Sequence, residues 1–253
     1  GDVSFSPDGT RLAVAWWDGH VDLWDVPGRR FLRALTDREQ PQRGRLAFSP
    51  VRNLLAATSE SKVVTLYDFD SGRESVLWRA PDQGGWSVRD LAFSQDGSRV
   101  VIYAGSASFW LNVKTTPELG DAVWVVNVSS SKIESRHPTV WSDTRFHGAA
   151  RLSPDNRRLY LARSDGLNYR YSIQCLDLAT GQELWQTERQ RDRGLTTLAI
   201  SPDGRVLASG SGFEDPTIRV WETATGRFLV RLDGHTGWVH KLVFTKDGRR
   251  LIS

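Results

Sequence analysis

Methionine is absent from this 253-residue chain, and cysteine occurs once, at Cys175. A single thiol excludes an internal disulfide framework and fits a reducing compartment, so a cytoplasmic setting is the expectation. The missing initiator leads us to expect a sequence that begins inside a longer chain or after processing. No apolar run exceeds the six residues Leu12 to Trp17, far short of the roughly 20 that a membrane-spanning helix needs. No basic segment followed by an apolar stretch opens the chain, so no secretory signal is visible. Lysine is scarce, with 5 residues against 28 arginines. That bias points to a GC-rich, bacterial-type coding sequence more than to a binding surface. The net charge is only +3 and spread along the chain, without the basic stripe of a nucleic-acid reader.

What is abundant is tryptophan, with 11 residues, within a composition that is 39% hydrophobic and 25% charged and therefore globular rather than disordered. One phrase recurs: Phe5-Ser6-Pro7-Asp8-Gly9, Phe48-Ser49-Pro50, Phe93-Ser94-Gln95-Asp96-Gly97, Leu152-Ser153-Pro154-Asp155, Ile200-Ser201-Pro202-Asp203-Gly204 and Phe244-Thr245-Lys246-Asp247-Gly248. Its first residues lie 43, 45, 59, 48 and 44 positions apart. An apolar residue always follows seven positions later: Leu12, Leu55, Val100, Leu159, Leu207 and Leu251. A second anchor follows the first five: Trp24-Asp25, Tyr67-Asp68, Val126-Asn127, Leu176-Asp177 and Trp221-Glu222. Within one unit, Pro7-Asp8-Gly9 is a turn and Leu12 to Trp16 a buried strand. Asp18-Gly19 is a tight hairpin turn, Val21 to Trp24 a third strand, and Phe31 to Leu35 a fourth.

These repeats resemble the WD40 family, whose units of about 40–45 residues each form a four-stranded blade of a β-propeller. The resemblance implies an all-β chain of antiparallel blades, five full and two strands of a sixth. The approximate blades are 1–36, 37–80, 81–140, 141–190, 191–233 and a partial 234–253. Such propellers commonly have seven blades, so the reading expects a fragment, or one domain, of a longer protein. The family's buried Gly-His, Ser/Thr, Asp and Trp network maps here onto Gly234, His235 and Ser253, onto Ser209, Asp215 and Trp221, and onto Asp18 and Trp24. No blade holds the whole set. Apolar Val14, Ala57, Ile102 and Leu161 stand at hydroxyl positions, and this is expected to avoid leaving a buried donor unpaired.

No catalytic, cofactor-binding or metal-binding set emerges. His235 and His240 lack a cysteine pair at ligand spacing. Gly210-Ser211-Gly212 lacks the strand–turn–helix context of a nucleophile elbow and reads as a strand end. No phosphate-binding glycine loop is present. Asn127-Val128-Ser129 matches a glycosylation sequon by chance. The run from Leu176 to Trp185 resembles the D-x-x-T-G-x-x-x-W motif of quinoprotein propellers, in which tryptophans dock neighbouring blades. S-P-D-G phrases also occur in peptidase-attached and TolB-like propellers. An enzyme-associated propeller, binding a small ligand or gating a peptidase, is therefore the alternative reading.

The leading expectation is a non-catalytic protein-interaction scaffold. The anchor spacings place every large insertion between the second and third strands, on the side where propellers also receive the connections into first strands. Aromatic and basic residues gather there: Trp16, Trp17, Trp86, Arg89, Phe109, Trp110, Trp238 and His240. Tryptophan and arginine are the types enriched at interface hot spots. These residues are therefore the candidate rim for a protein or peptide partner, or for another domain of the same polypeptide. No membrane or nucleic-acid partner is expected.

Overall fold

The structure, a computed structural model, describes residues 2–16, 18–36, 44–60, 62–82, 86–106, 121–139, 149–164, 171–188, 195–212 and 215–253. The chain divides into two compact units, one of residues 1–115 with 123–136 and the other of 116–122 with 137–253. The first sheet holds β1 (Asp2–Phe5), β2 (Arg11–Ala15), β3 (Val21–Asp25) and β4 (Arg30–Ala34) in that order. The second holds β5 (Leu46–Phe48), β6 (Leu54–Glu60), β7 (Val63–Asp68) and β8 (Arg73–Arg79). In the third are β9 (Trp86–Phe93), β10 (Arg99–Ser106), β11 (Ala122–Asn127) and β12 (Ile133–Pro138). The fourth comprises β13 (Ala150–Leu152), β14 (Arg158–Ser164), β15 (Tyr171–Asp177) and β16 (Glu183–Gln186). The fifth comprises β17 (Leu195–Ile200), β18 (Val206–Ser211), β19 (Ile218–Glu222) and β20 (Phe228–Leu232). A two-stranded sheet of β21 (Val243–Phe244) and β22 (Leu251–Ile252) follows. This is the expected set of five four-stranded antiparallel blades and two strands of a sixth. Among the described residues no helix is long and apolar enough to cross a membrane.

The repeat spacing is the register of the first hairpin. Phe5 pairs with Leu12, Phe48 with Leu55, Phe93 with Val100, Leu152 with Leu159, Ile200 with Leu207 and Phe244 with Leu251. The row continues into third strands, where Leu12 meets Trp24, Leu55 meets Tyr67, Leu159 meets Leu176 and Leu207 meets Trp221. Seven residues is the length that lets one apolar row cross both strands with a tight turn between them. Its inner members are fully buried: Leu55, Val100, Leu159 and Leu207 are each 0% exposed.

The turn itself is a hydrogen-bonded device. Ser6 Oγ donates to Asp8 and accepts the Arg11 N–H at 2.9 Å, while Asp8 accepts the Thr10 N–H, also at 2.9 Å. The same pattern recurs at Ser94–Asp96, Ser153–Asp155, Ser201–Asp203 and Thr245–Asp247. Its fourth residue is left-handed, which glycine adopts without strain at Gly9 (φ 72°) and Gly204 (φ 72°). In the fourth sheet Asn156 takes that place at φ 57°. The hydrogen bonds hold the Asp8 carboxyl at about 2, the largest contribution coming from Ser6. The carboxyls of Asp155, Asp203 and Asp247 are likewise held below their ordinary value, chiefly by the serine or threonine hydroxyl.

Fourth strands are the exposed ones. Every residue of β4 and of β20 is exposed. Phe31 and Phe228 nevertheless pack edge-on against Trp24 and Trp221, at 5.6 and 5.5 Å between centroids.

Candidate functional site

The turn after β2 carries a rigid aromatic and acidic cluster. Trp16 is 43% exposed, yet its ring is fixed twice. Its Nε1 donates to Asp22 Oδ2 at 2.9 Å, and its face stacks on the His20 imidazole at 5.6 Å and 16°. Asp22 stands on β3 opposite Val14, so strand pairing delivers its carboxylate beneath the indole. His20 is buried, and its Nδ1 donates to Asp18 Oδ1 at 2.5 Å. Its Nε2 lies 3.5 Å from Asp22 Oδ2. Gly19, at φ 90°, supplies the left-handed position that the turn requires. Burial pushes the Asp18 carboxyl up, but the hydrogen bonds from the His20 ring and backbone N–H outweigh it and the net shift is downward. The indole N–H is taken up by Asp22, and the Asp18 carboxylate, with a side chain 52% exposed, is bound to the His20 ring.

In the second unit, Trp238 is half-buried and lies over Gly212, where a side-chain carbon would come within 2.9 Å of the indole. It stacks on the exposed His240 at 5.9 Å and 21°. The sequence groups Asp215 with Ser209 and Trp221 in one network, but the Asp215 carboxylate is bound elsewhere. Its carboxylate accepts from Arg219 at 2.7 Å and from Arg231 at 2.8 Å. Arg219, 8% exposed, also donates to the Tyr171 hydroxyl at 2.9 Å. Two guanidinium groups capture Asp215, one on each carboxylate oxygen, because a partly buried carboxylate gains more from charge-assisted hydrogen bonds than from a neutral hydroxyl.

The other expected rim residues divide. Trp86 is 1% exposed and packs edge-on against Trp124, which also contacts Trp78. It is a core residue, since β9 turns this position inward, and burial removes it from any surface role. Arg89 is half-buried on the same strand. Trp17, Phe109 and Trp110 lie outside the described residues.

The polar network survives in pieces. Trp221 Nε1 donates to Ser209 Oγ at 2.9 Å, and His235 Nε2 lies 2.7 Å from Ser253 Oγ, with Gly234 beside it at φ 135°. In the first blade Asp18 is engaged by His20 rather than by a tryptophan network. Trp24 Nε1 is buried without a hydrogen-bond partner. The expectation that an apolar residue at the hydroxyl position spares a buried donor therefore fails at Val14, because the tryptophan remained while its acceptor did not.

Ser211 is 1% exposed and bonds to the Asp215 and Thr217 carbonyls, which makes it a strand end and not a nucleophile. Trp185 docks on the next blade: its Nε1 donates to the Thr223 carbonyl at 3.0 Å, and its ring covers Gly226. Among the described residues no group of three His, Cys, Asp or Glu could hold a metal ion. His20 and Asp22 were not singled out from the sequence. The signal was there in a tryptophan, two acids and a histidine within seven residues around a glycine turn.

Comparison with known proteins fits this arrangement. The model of the WD domain, G-beta repeat, matches residues 184–222. The human serine-threonine kinase receptor-associated protein is 23% identical over 245 residues, covering 89% of this chain and 67% of its own length. The WD repeat-containing protein 26 homolog of Drosophila melanogaster is 24% identical over 262 residues, covering 93% of this chain and 41% of its own. A chain in the crystal structure of a mitotic checkpoint complex superposes with a TM-score of 0.73 at 20% identity, over 98% of this chain and 69% of that one. At that identity the superposition speaks for the fold alone. Residues 184–222 thus match a WD40 repeat, and the six tandem units, their blade geometry and these similarities support a WD40 β-propeller family for the chain.

Proposed function

We propose that this chain is a non-catalytic interaction module that binds a protein or peptide through the Trp16 end of its first blade. WD40 propellers generally serve as protein-interaction scaffolds and are generally non-catalytic, which supports the coarse reading. The observation that carries the finer one is the exposed Trp16, immobilised by the Asp22 carboxylate and the His20 ring. An aromatic side chain already held in one rotamer loses little entropy on binding, which is why such residues dominate interface energies. The Trp238–His240 stack is a second aromatic surface within the other unit. The Drosophila relative extends well beyond the matched region, and this supports a role as one domain of a multidomain protein.

The test is quantitative affinity capture from the native source with the wild-type chain and with Trp16→Ala, both first shown to be equally folded by circular dichroism. The proposal expects at least one protein to be captured by the wild type and depleted with the variant. Equal capture by both would refute the placement of the binding surface.

A further inference from the structure

The blades pack by one rule, and one face of the first blade and one of the sixth stand outside it. The apolar row that runs from Phe5 through Leu12 to Trp24 has a counterpart in every blade, and that row covers the opposite face of the blade before. Phe48, Leu55 and Tyr67 of the second blade lie in one core with Ala13, Ala15 and Leu23 of the first. Ile200, Leu207 and Trp221 of the fifth lie with Tyr160, Ile173 and Cys175 of the fourth. Phe244 and Leu251 of the sixth lie with Ala199, Ala208 and Ile218 of the fifth. Each of these cores joins a row to an opposite face, never two faces of one kind.

The first blade's row and the sixth blade's opposite face are left open. Phe5 is 57% exposed although its counterpart Phe48 is 7% exposed. Val3, two residues earlier on the same face, is also exposed, and Leu12 and Trp24 are half-buried where Leu55 and Tyr67 are buried. In the sixth blade Val243 pairs with Ile252, and both are exposed, Ile252 at 59%. The residues in its place in the other five blades, Ala13, Ala56, Val101, Tyr160 and Ala208, are each at most 1% exposed. Stacked repeats stay soluble when their outermost faces are polar. These two faces are apolar, which marks them as surfaces to be covered. We infer that a second copy of this chain covers them, the Phe5 row of one copy packing on the Val243–Ile252 face of the other. The two faces are complementary halves of a contact that the fold already repeats in three cores, and one chain carries both halves uncovered. Two Phe5 rows, or two Ile252 faces, set against each other would match none of those cores. The pairing is therefore head to tail, and it leaves one face of each kind free after two copies have joined.

The experiment is sedimentation velocity of the 253-residue chain over a wide range of concentration, repeated with Phe5→Asp, with Ile252→Asp and with an equal mixture of the two variants. Both replaced side chains are largely exposed, and circular dichroism checks each fold. Should either variant unfold, Val3→Asp or Val243→Asp replaces it on the same face. The wild-type chain is expected to grow past the dimer as its concentration rises. Each variant alone should associate at least about tenfold more weakly, because an unpaired charge would be buried in the contact. The mixture should regain association and stop at the dimer, since only the Phe5 row of the Ile252→Asp chain and the Ile252 face of the Phe5→Asp chain remain intact. A wild-type chain that stays monomeric overturns the inference. So does either variant dimerising alone as tightly as wild type, which means that like faces meet or that association is general apolar adhesion. A mixture no more associated than its separate components overturns it as well.

Discussion

The first and fifth blades differ at one position in a way that can be exchanged. In the fifth, Trp221 Nε1 donates to Ser209 Oγ at 2.9 Å, and Ser209 pairs across the strands with Arg219. In the first, the equivalent Trp24 Nε1 is buried without a partner, and Val14 stands where Ser209 stands. Val14→Thr keeps the β-branched shape and puts a hydroxyl within reach of the indole. A buried donor left unpaired costs about 1–3 kcal/mol, and losing one buried methyl costs about 0.8 kcal/mol. The net gain is about 0.5–2 kcal/mol, or a rise of roughly 2–6 °C in melting temperature for a chain of this size. The converse change, Ser209→Ala, orphans Trp221 Nε1 and should cost about 1–3 kcal/mol. Thermal unfolding by circular dichroism and urea midpoints measure both. A Val14→Thr variant less stable than wild type, or a Ser209→Ala variant of equal stability, would refute the account of the indole donors.

Three other outcomes are expected. Gly226→Ala should destabilise by about 2 kcal/mol or more, because the backbone there is left-handed at φ 73° and the added carbon would lie 2.5 Å from the Trp185 ring; an unchanged melting temperature would disprove the docking of Trp185. Acid should weaken the fold through the turn carboxylates: Asp8, Asp155, Asp203 and Asp247 are depressed in the folded state, so their contribution is present above about pH 4 and is lost as pH falls toward 2, the value held by Asp8. Melting temperatures recorded between pH 5 and 2 should fall, and Ser6→Ala should flatten part of that dependence. Cys175 is 0% exposed and burial pushes its thiol up to about 12, so Ellman's reagent should leave it unmodified in buffer and titrate it fully in denaturant; rapid reaction in buffer would contradict its burial.

The fold was legible because its signal is a spacing. A hairpin with a four-residue turn fixes a separation of seven positions from Phe5 to Leu12, and the same constraint acts in all six repeats. The site was legible only in part, because surface roles depend on which way a strand turns. Trp86 opens β9 and points inward against Trp124, 38 positions away in sequence, and no local pattern reveals that. Arg219 lies four residues from Asp215, but Arg231 reaches that carboxylate only through the pairing of β19 with β20. Trp16 was read as a surface candidate from its place beside a turn. Its fixation by His20 and Asp22 follows from the hairpin that folds them back against it.

The central claim is that the exposed, immobilised Trp16 anchors a protein partner. Titration calorimetry of the captured partner against the wild-type chain and Trp16→Ala tests it most directly. The account predicts a loss of about 2 kcal/mol or more in binding free energy, roughly thirtyfold in Kd, with the fold intact. An affinity unchanged within about 0.5 kcal/mol would contradict it.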